Sequence, residues 1–374
     1  MITIQKTITA IPKKNQLIGL DIGSHSIKLV EIDYGKRGRV LKNFGVIGLP
    51  PEAIVEGSIK EMEIVSSAIN NLFKNLKIKK KAVATSISGY PVIVKKITMN
   101  TKDESELEAL IHEEAEQYIP FDINEVNLDY DILSFGDELT DVEDKEQQDK
   151  EGPEQMEVML VAAKKEIVDD YVSLLELAGL KLVLLDVDAF ALQNTFEINA
   201  KEMEPEGSFA LVNIGAEELG INVIKNGVSL FTRDSPYGGS HITKEIISRY
   251  AVSYKEAENI KLGGTGSVKD KEKLKEIFQS VVLEWVMEIK RALDFVASSY
   301  PDETITKILV SGGSCRISGF QQYLNRETSI PVEELNPYAN LIVDEKLIDP
   351  MYLKFMAPQA AVAVGLALRH IGDK

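Results

Sequence analysis

Two stretches of this chain lie over each other without a gap, about half the chain apart: Leu17–Gly35, LIGLDIGSHSIKLVEIDYG, and Phe209–Gly227, FALVNIGAEELGINVIKNG. In that register Gly23 falls on Gly215, Ile22 on Ile214, Asp21 on Asn213 and Gly35 on Gly227. Each copy is an apolar strand, a polar residue before Ile-Gly, a tight loop and a second alternating strand. A repeat on this scale predicts two related halves, each lending one glycine loop to a shared cleft. Such a cleft, lined by backbone N–H groups, suits a polyphosphate.

Length and charge fit this reading and exclude others. At 374 residues the chain can bury more than one core. Its net charge is −17, about half of it carried by Asp137–Glu157, a stretch predicted to be an acidic loop. Such acidity argues against general nucleic-acid binding, which needs clustered Lys and Arg. Cys315 is the one cysteine, so no intrachain disulfide forms and a reducing compartment is expected. No apolar run approaches the ~20 residues of a bilayer span. The opening MITIQKTITAIPKKNQ lacks a signal-peptide core, and no basic amphipathic tail follows VAVGLALRHIGDK. Membrane association is therefore expected through a partner, without direct insertion.

Periodicity supplies a map. Residues 17–33 form the first hairpin, with 40–49 alongside, a helix over 61–75 and a strand over 81–88. An inserted module follows: strand 92–99, helix 103–118, strand 126–133, the acidic loop, strand 156–163, helix 166–178 and strand 182–187. That β-α-β-β-α-β order predicts a small sheet of its own. The second half opens with the repeated hairpin and a strand at 228–232. Gly238-Gly239 precedes Ser240, read as the N-cap of a helix over 242–250. Helices over 253–262 and 274–299, a strand over 305–311 ending in Gly312-Gly313-Ser314, and a small-residue helix over 360–370 complete the chain. Trp285 reads as core. The scattered histidines give no metal-binding spacing.

These landmarks resemble the actin-type ATPases. LIGLDIGSHSIKLVEI matches the first phosphate loop, ALVNIGAEELGINVI the second and ILVSGGSCRISGF the adenosine loop. The insert sits where the FtsA branch carries its extra subdomain. Within that branch the chain is similar to the PilM family of type IV pilus assembly, through DIGSHSIKLVEI, EEAEQYIPFDINEVNLDYDIL and RALDFVASSY. The resemblance implies an α/β, actin-like (ribonuclease H-like) two-domain fold with an interdomain nucleotide cleft and an inserted FtsA-type α+β subdomain. The expected divisions are 1–90 and 207–356 for the two halves, 91–180 for the insert, 181–206 for the connection and 357–374 for a C-terminal helix returning to the first half. It further implies a cytoplasmic ATP-binding scaffold that grips the N-terminal tail of a PilN-type inner-membrane protein and links the assembly platform to the pilus motor ATPases. Self-association stays open. An FtsA-like, filament-forming actin homologue is the alternative, and a small-molecule kinase a third.

Each motif has a chemical role to fill. Gly23 exposes loop N–H groups to phosphate oxygens, Ser24 and Ser26 add hydroxyl donors, and Lys28 brings a compact cation. Asp21 is the expected Mg²⁺ residue, acting through the ion's waters. In the second loop, Asn213 and Gly215 are the counterparts. Asn213, where relatives carry Asp, brings no charge, and Glu217 and Glu218 oppose a triphosphate unless they point away. Binding is expected to survive these changes and ATP hydrolysis to be weak or absent. Gly312, Gly313 and Ser314 offer close backbone approach to the nucleoside, and Gly238-Gly239 a helix N-terminus for an anion. The resemblance adds Lys261 as a base or ribose contact and Asp188 as the group orienting attacking water, with Asp186 as its substitute.

Overall fold

The computed structural model describes residues 16–36, 38–99, 104–135, 156–199, 207–264 and 270–373. In chain order come β1 (Ile18–Ile22), β2 (Ser26–Gly35), β3 (Gly38–Gly48), the short pair β4 (Ile54–Val55) and β5 (Ser58–Ile59), α1 (Met62–Asn75), β6 (Ala82–Ile87) and β7 (Val92–Met99). There follow α2 (Glu104–Ala115), β8 (Val126–Phe135), β9 (Met156–Lys164), α3 (Lys165–Leu177), β10 (Lys181–Val187) and α4 (Asp188–Asn199). The second half holds β11 (Ser208–Ile214), β12 (Leu219–Lys225), β13 (Val228–Ser235), α5 (Gly239–Tyr250), α6 (Tyr254–Lys261), α7 (Lys271–Ser299), β14 (Ile305–Ser311), α8 (Phe320–Thr328), β15 (Val332–Glu334), β16 (Ile342–Val343) and α9 (Pro350–Leu368).

The repeat reappears as topology. The first sheet has the order β10-β6-β1-β2-β3-β16 and the second β13-β12-β11-β14-β15. In each, three strands form an antiparallel meander and two more add in parallel beside the first. Parallel neighbours need a crossover, and helices supply it in equivalent places: α1 and α7 before the fourth strand, α3 and α8 before the fifth. The helices α4 and α9 then follow the fifth strands.

This equivalence corrects the expected insert. A three-stranded sheet, β7-β9-β8, carries α2, but α3 and β10 are not part of it. β10 pairs with β6 from Lys181↔Ala82 to Val187↔Ile87, and α3 buries Ile167, Tyr171, Leu174 and Leu175 in the first lobe's core. The added module is therefore β-α-β-β, its own core formed by Leu107, Ile111, Ala115, Val158 and Leu160 among others. The expected acidic loop lies outside the described residues, except for Met156 and Glu157 in β9.

Two further expectations change. The N-cap of α5 is Gly238, not Ser240, which lies within the first turn. The last helix starts at Pro350 instead of 360 and continues through Pro358. The chain already returns to the first sheet at β16, through Ile342↔Val40 and Val343↔Leu41, ahead of residue 357. By length and composition α9 could cross a membrane, but it is mostly buried, packed on β1, β2 and α4. Trp285 is fully buried with its ring edge-on to Phe320.

Candidate functional site

A cleft of about 430 Å³ opens where β1, β6, β11 and β14 end. Asp21, Gly23, Ser24, Lys28, Asp188, Asn213, Gly215, Gly312 and Gly313 all line it. Ser26, Gly238, Gly239, Lys261 and Ser314 do not.

The first loop is a hairpin turn closed by Gly23 N–H donating to the Ser26 carbonyl at 3.2 Å. Asp21 and Lys28 face each other across β1 and β2, and their side chains pair at 3.3 Å. A Cβ on Gly23 would stand 3.1 Å from the Lys28 ammonium and 3.7 Å from an Asp21 oxygen. The bare Cα thus leaves room directly over this ion pair. Ser26 is buried at the base of the turn, which corrects its expected role as a cleft hydroxyl.

The second loop is held from behind. Gly215 N–H donates to the Glu218 carbonyl at 2.8 Å. The first amides of α5 serve this loop: Gly239 N–H reaches the Gly215 carbonyl at 3.1 Å and Ser240 N–H the Ala216 carbonyl at 2.7 Å. Ser314 completes the clamp, its N–H on the Ile214 carbonyl at 3.0 Å and its hydroxyl on the Gly215 carbonyl at 2.8 Å. These approaches are why glycine is required. A Cβ on Gly238 would meet the Ala216 carbonyl oxygen at 2.3 Å, and one on Gly312, with φ at +85°, would meet the Ile214 oxygen at 2.3 Å. The amides of Gly239 and Ser240 are consequently not offered to an anion, contrary to expectation. Lys261 is engaged as well, with Glu258 at 2.7 Å and the Thr243 hydroxyl at 2.9 Å. Asn213 does face the cleft, its side-chain Oδ1 accepting from Ser311 Oγ at 3.2 Å.

Carboxylates dominate the remaining wall. Asp188, at the start of α4, accepts from Ser86 Oγ at 2.5 Å. Burial, reinforced by Asp21, raises its pKa from 3.8 to about 7. Burial also raises Glu218, with Asp234 and Asp188 adding repulsion, and raises Asp234 against the opposing hydrogen bond from Gly89 N–H. Asp186 does not line the cleft: it is buried in an ion pair with Arg369 at 3.3 Å. Its role as substitute for Asp188 is thereby overturned.

The sequence reading missed Asp234 and underrated Glu218. Asp234 is one of two charges in an otherwise uncharged β13, and it stands opposite Gly220, where no side chain covers it. That pattern was the available signal. Asp234 also helps to join the lobes, together with Glu217 and His25. Gly89 N–H donates to Asp234 at 2.8 Å, Glu56 N–H to Glu217 at 3.3 Å, and His25 Nδ1 meets the Tyr254 hydroxyl at 3.2 Å. Among the described residues no group of three or more His, Cys, Asp or Glu is close enough to hold a metal ion by itself. A cation here would need ligand oxygens or waters as well.

Comparison with known proteins agrees with this architecture. The family described as "Type IV pilus assembly protein PilM" matches residues 19–371. The solved PilM-PilN type IV pilus biogenesis complex superposes with a TM-score of 0.80 at 29% identity, covering 94% of this chain and 98% of that one. MreB 5 of Spiroplasma citri, solved bound to AMPPNP, superposes with a TM-score of 0.50 at 13% identity over 96% of each chain, a likeness of fold alone. The ethanolamine utilization protein EutJ of Escherichia coli (strain K12) is 26% identical over 117 residues, 31% of this chain and 37% of that protein. The fold is therefore actin-like, as the repeated loops implied.

Proposed function

Because this chain belongs to the PilM family of type IV pilus assembly proteins, we propose that it is a nucleotide-binding scaffold that grips the N-terminal tail of a PilN-type inner-membrane protein. The observation that carries this reading is the likeness, along nearly all of the chain, to a PilM solved in complex with PilN. In this reading the protein works on the cytoplasmic side of the inner membrane, held there through its partner, and connects the assembly platform to the motor ATPases.

ATP is the proposed ligand of the cleft. The turn at Gly23 and the Lys28 ammonium receive the phosphates, and Gly312 and Gly313 bring bare backbone to the nucleoside end. The acidic wall fits an accompanying Mg²⁺, since hard cations take carboxylate and water oxygens. Asp21 and Asp188 would hold it through water. Bound there, the ion would offset the negative charge that otherwise opposes a polyphosphate. Asp188 also keeps the proposed water-orienting role, whereas the neutral Asn213 accounts for slow or absent turnover. In this reading ATP sets the angle between the lobes by binding both, and nucleotide and peptide are thereby linked thermodynamically.

Calorimetric titration of a PilN-type N-terminal peptide, with and without Mg-ATP, tests the proposal. Saturable one-to-one binding whose affinity changes with ATP is the expected result. No heat in either condition from folded protein would overturn it.

A further inference from the structure

The end of the first lobe farthest from the cleft concentrates positive charge in a chain of net charge −17. Six exposed lysines converge there from four places in the fold: Lys36 at the β2–β3 turn, Lys74 and Lys77 at the end of α1, Lys79 and Lys81 before β6, and Lys181 at the start of β10. Strand register places them on one rim. Lys81 leads into β6 beside Lys181, whose N–H donates to the Lys81 carbonyl at 2.8 Å. The β2–β3 turn extends past the start of β1, which lies level with Val83. The length of β6 separates this rim from the cleft by roughly 20 Å.

None of the six ammonium groups has a salt-bridge partner among the described residues. Most nearby carboxylates are already engaged. Glu31 pairs with Lys80 at 3.1 Å, and Asp373 pairs with His370 at 2.7 Å and lies 3.9 Å from Arg369. Glu176 is the exposed exception. Two apolar side chains, Leu177 (54% exposed) and Ile371 (41% exposed), stand at the same end. Gln16 lies at this end too, its side-chain oxygen accepting from Lys80 Nζ at 3.3 Å.

We infer that this rim is a docking face for an anionic lipid surface. The lysines are spread along the ends of several elements instead of converging on a pocket, so they match diffuse negative charge better than one anionic group. Long, flexible Lys stems suit headgroups that have no fixed geometry, whereas a bidentate partner would favour Arg. Because the remaining surface carries the acidic excess, attraction to such a membrane is directional. It presents this end to the bilayer and turns the cleft away. This face is independent of the proposed nucleotide and peptide ligands.

Co-sedimentation with vesicles tests it directly. Phosphatidylcholine vesicles containing about a third phosphatidylglycerol are compared with pure phosphatidylcholine, at low and high salt. The full chain is expected to bind only the anionic vesicles, and to lose binding as salt rises. Replacing Lys74, Lys77, Lys79 and Lys81 together by Gln should weaken partitioning by up to roughly a thousandfold. The same charge loss on the second lobe, Lys255, Lys271, Lys275 and Lys290 to Gln, should leave it nearly intact. Circular dichroism establishes that both variants are folded. Failure of the wild type to bind anionic vesicles at low salt would overturn the inference, as would equal loss in both variants. Binding of soluble polyglutamate by the same four lysines, without vesicle binding, would reassign the face to an acidic protein.

Discussion

Lys28 is the one lysine among the residues lining a cleft that also contains Asp21, Glu56, Asp188, Glu217, Glu218 and Asp234. Replacing it with Ala removes both the proposed phosphate cation and the partner of Asp21 at 3.3 Å. ATP affinity should fall about ten- to a hundredfold, the worth of a charge-assisted contact. Titration calorimetry on the folded variant would read this, and an unchanged affinity would remove Lys28 from the site. Asn213→Asp gives the second loop the charge that Asp21 brings to the first, and any Mg²⁺-dependent phosphate release should rise. A constant rate would place the deficit elsewhere. At this scale the repeat led to Asp21, Gly23, Lys28 and Asn213, because two aligned loops leave little freedom over which residues reach the opening. It could not show that Gly238, Gly239 and Ser314 brace the second loop from behind, since that depends on which carbonyl each amide meets. The raised pKa values of Asp188 and Glu218 were hidden for a related reason. They arise from burial among elements far apart in sequence.

At the scale of elements, α9 shows how a local signal can be overruled. Pro358 lacks an N–H and leaves the Lys354 carbonyl without its helical partner, so a break before 360 is the natural reading. Arg316 supplies the missing donor: its guanidinium reaches the Lys354 carbonyl at 3.1 Å, and also the Phe355 carbonyl at 2.7 Å, while forking onto Glu334. Arg316→Ala should therefore cost about 1–3 kcal/mol, seen as a lower denaturation midpoint. A change near zero would show that water satisfies those carbonyls equally well. Farther along α9, Gly365 crosses α4 so closely that a Cβ would sit 1.7 Å from the Ala191 carbonyl oxygen. Gly365→Ala should destabilise by about 3 kcal/mol or more, because backbone must move to admit the methyl group. Most strands and helices were legible from periodicity. The ownership of α3 and β10 was not, since β10 joins the first sheet by pairing with β6, roughly a hundred residues earlier, and no local pattern encodes that choice.

For the molecule as a whole, the cleft carboxylates tie stability to pH. Asp188, Glu218 and Asp234 all bind protons more tightly in the folded protein than in the unfolded chain. Between the ordinary carboxylate range near pH 4 and the Asp188 value of about 7, the folded state therefore holds extra protons. Stability is fullest below that window and declines as pH rises through it. His25 works in the opposite sense, since burial lowers its pKa. Wild type should accordingly be compared with Asp188→Asn/Glu218→Gln, which lacks two of the three titrating acids but keeps His25. Without nucleotide, the wild-type denaturation midpoint should fall between pH 5 and pH 8, and the double variant should fall less. As these groups face one another across the lobe junction beside the Gly89–Asp234 hydrogen bond, their ionisation also favours separation of the lobes. Small-angle scattering of the wild type should then show a larger radius of gyration at pH 8 than at pH 5, reduced again by Mg-ATP. Parallel pH profiles for wild type and double variant, with an unchanged radius, would mean that the acidic wall does not couple protonation to the junction.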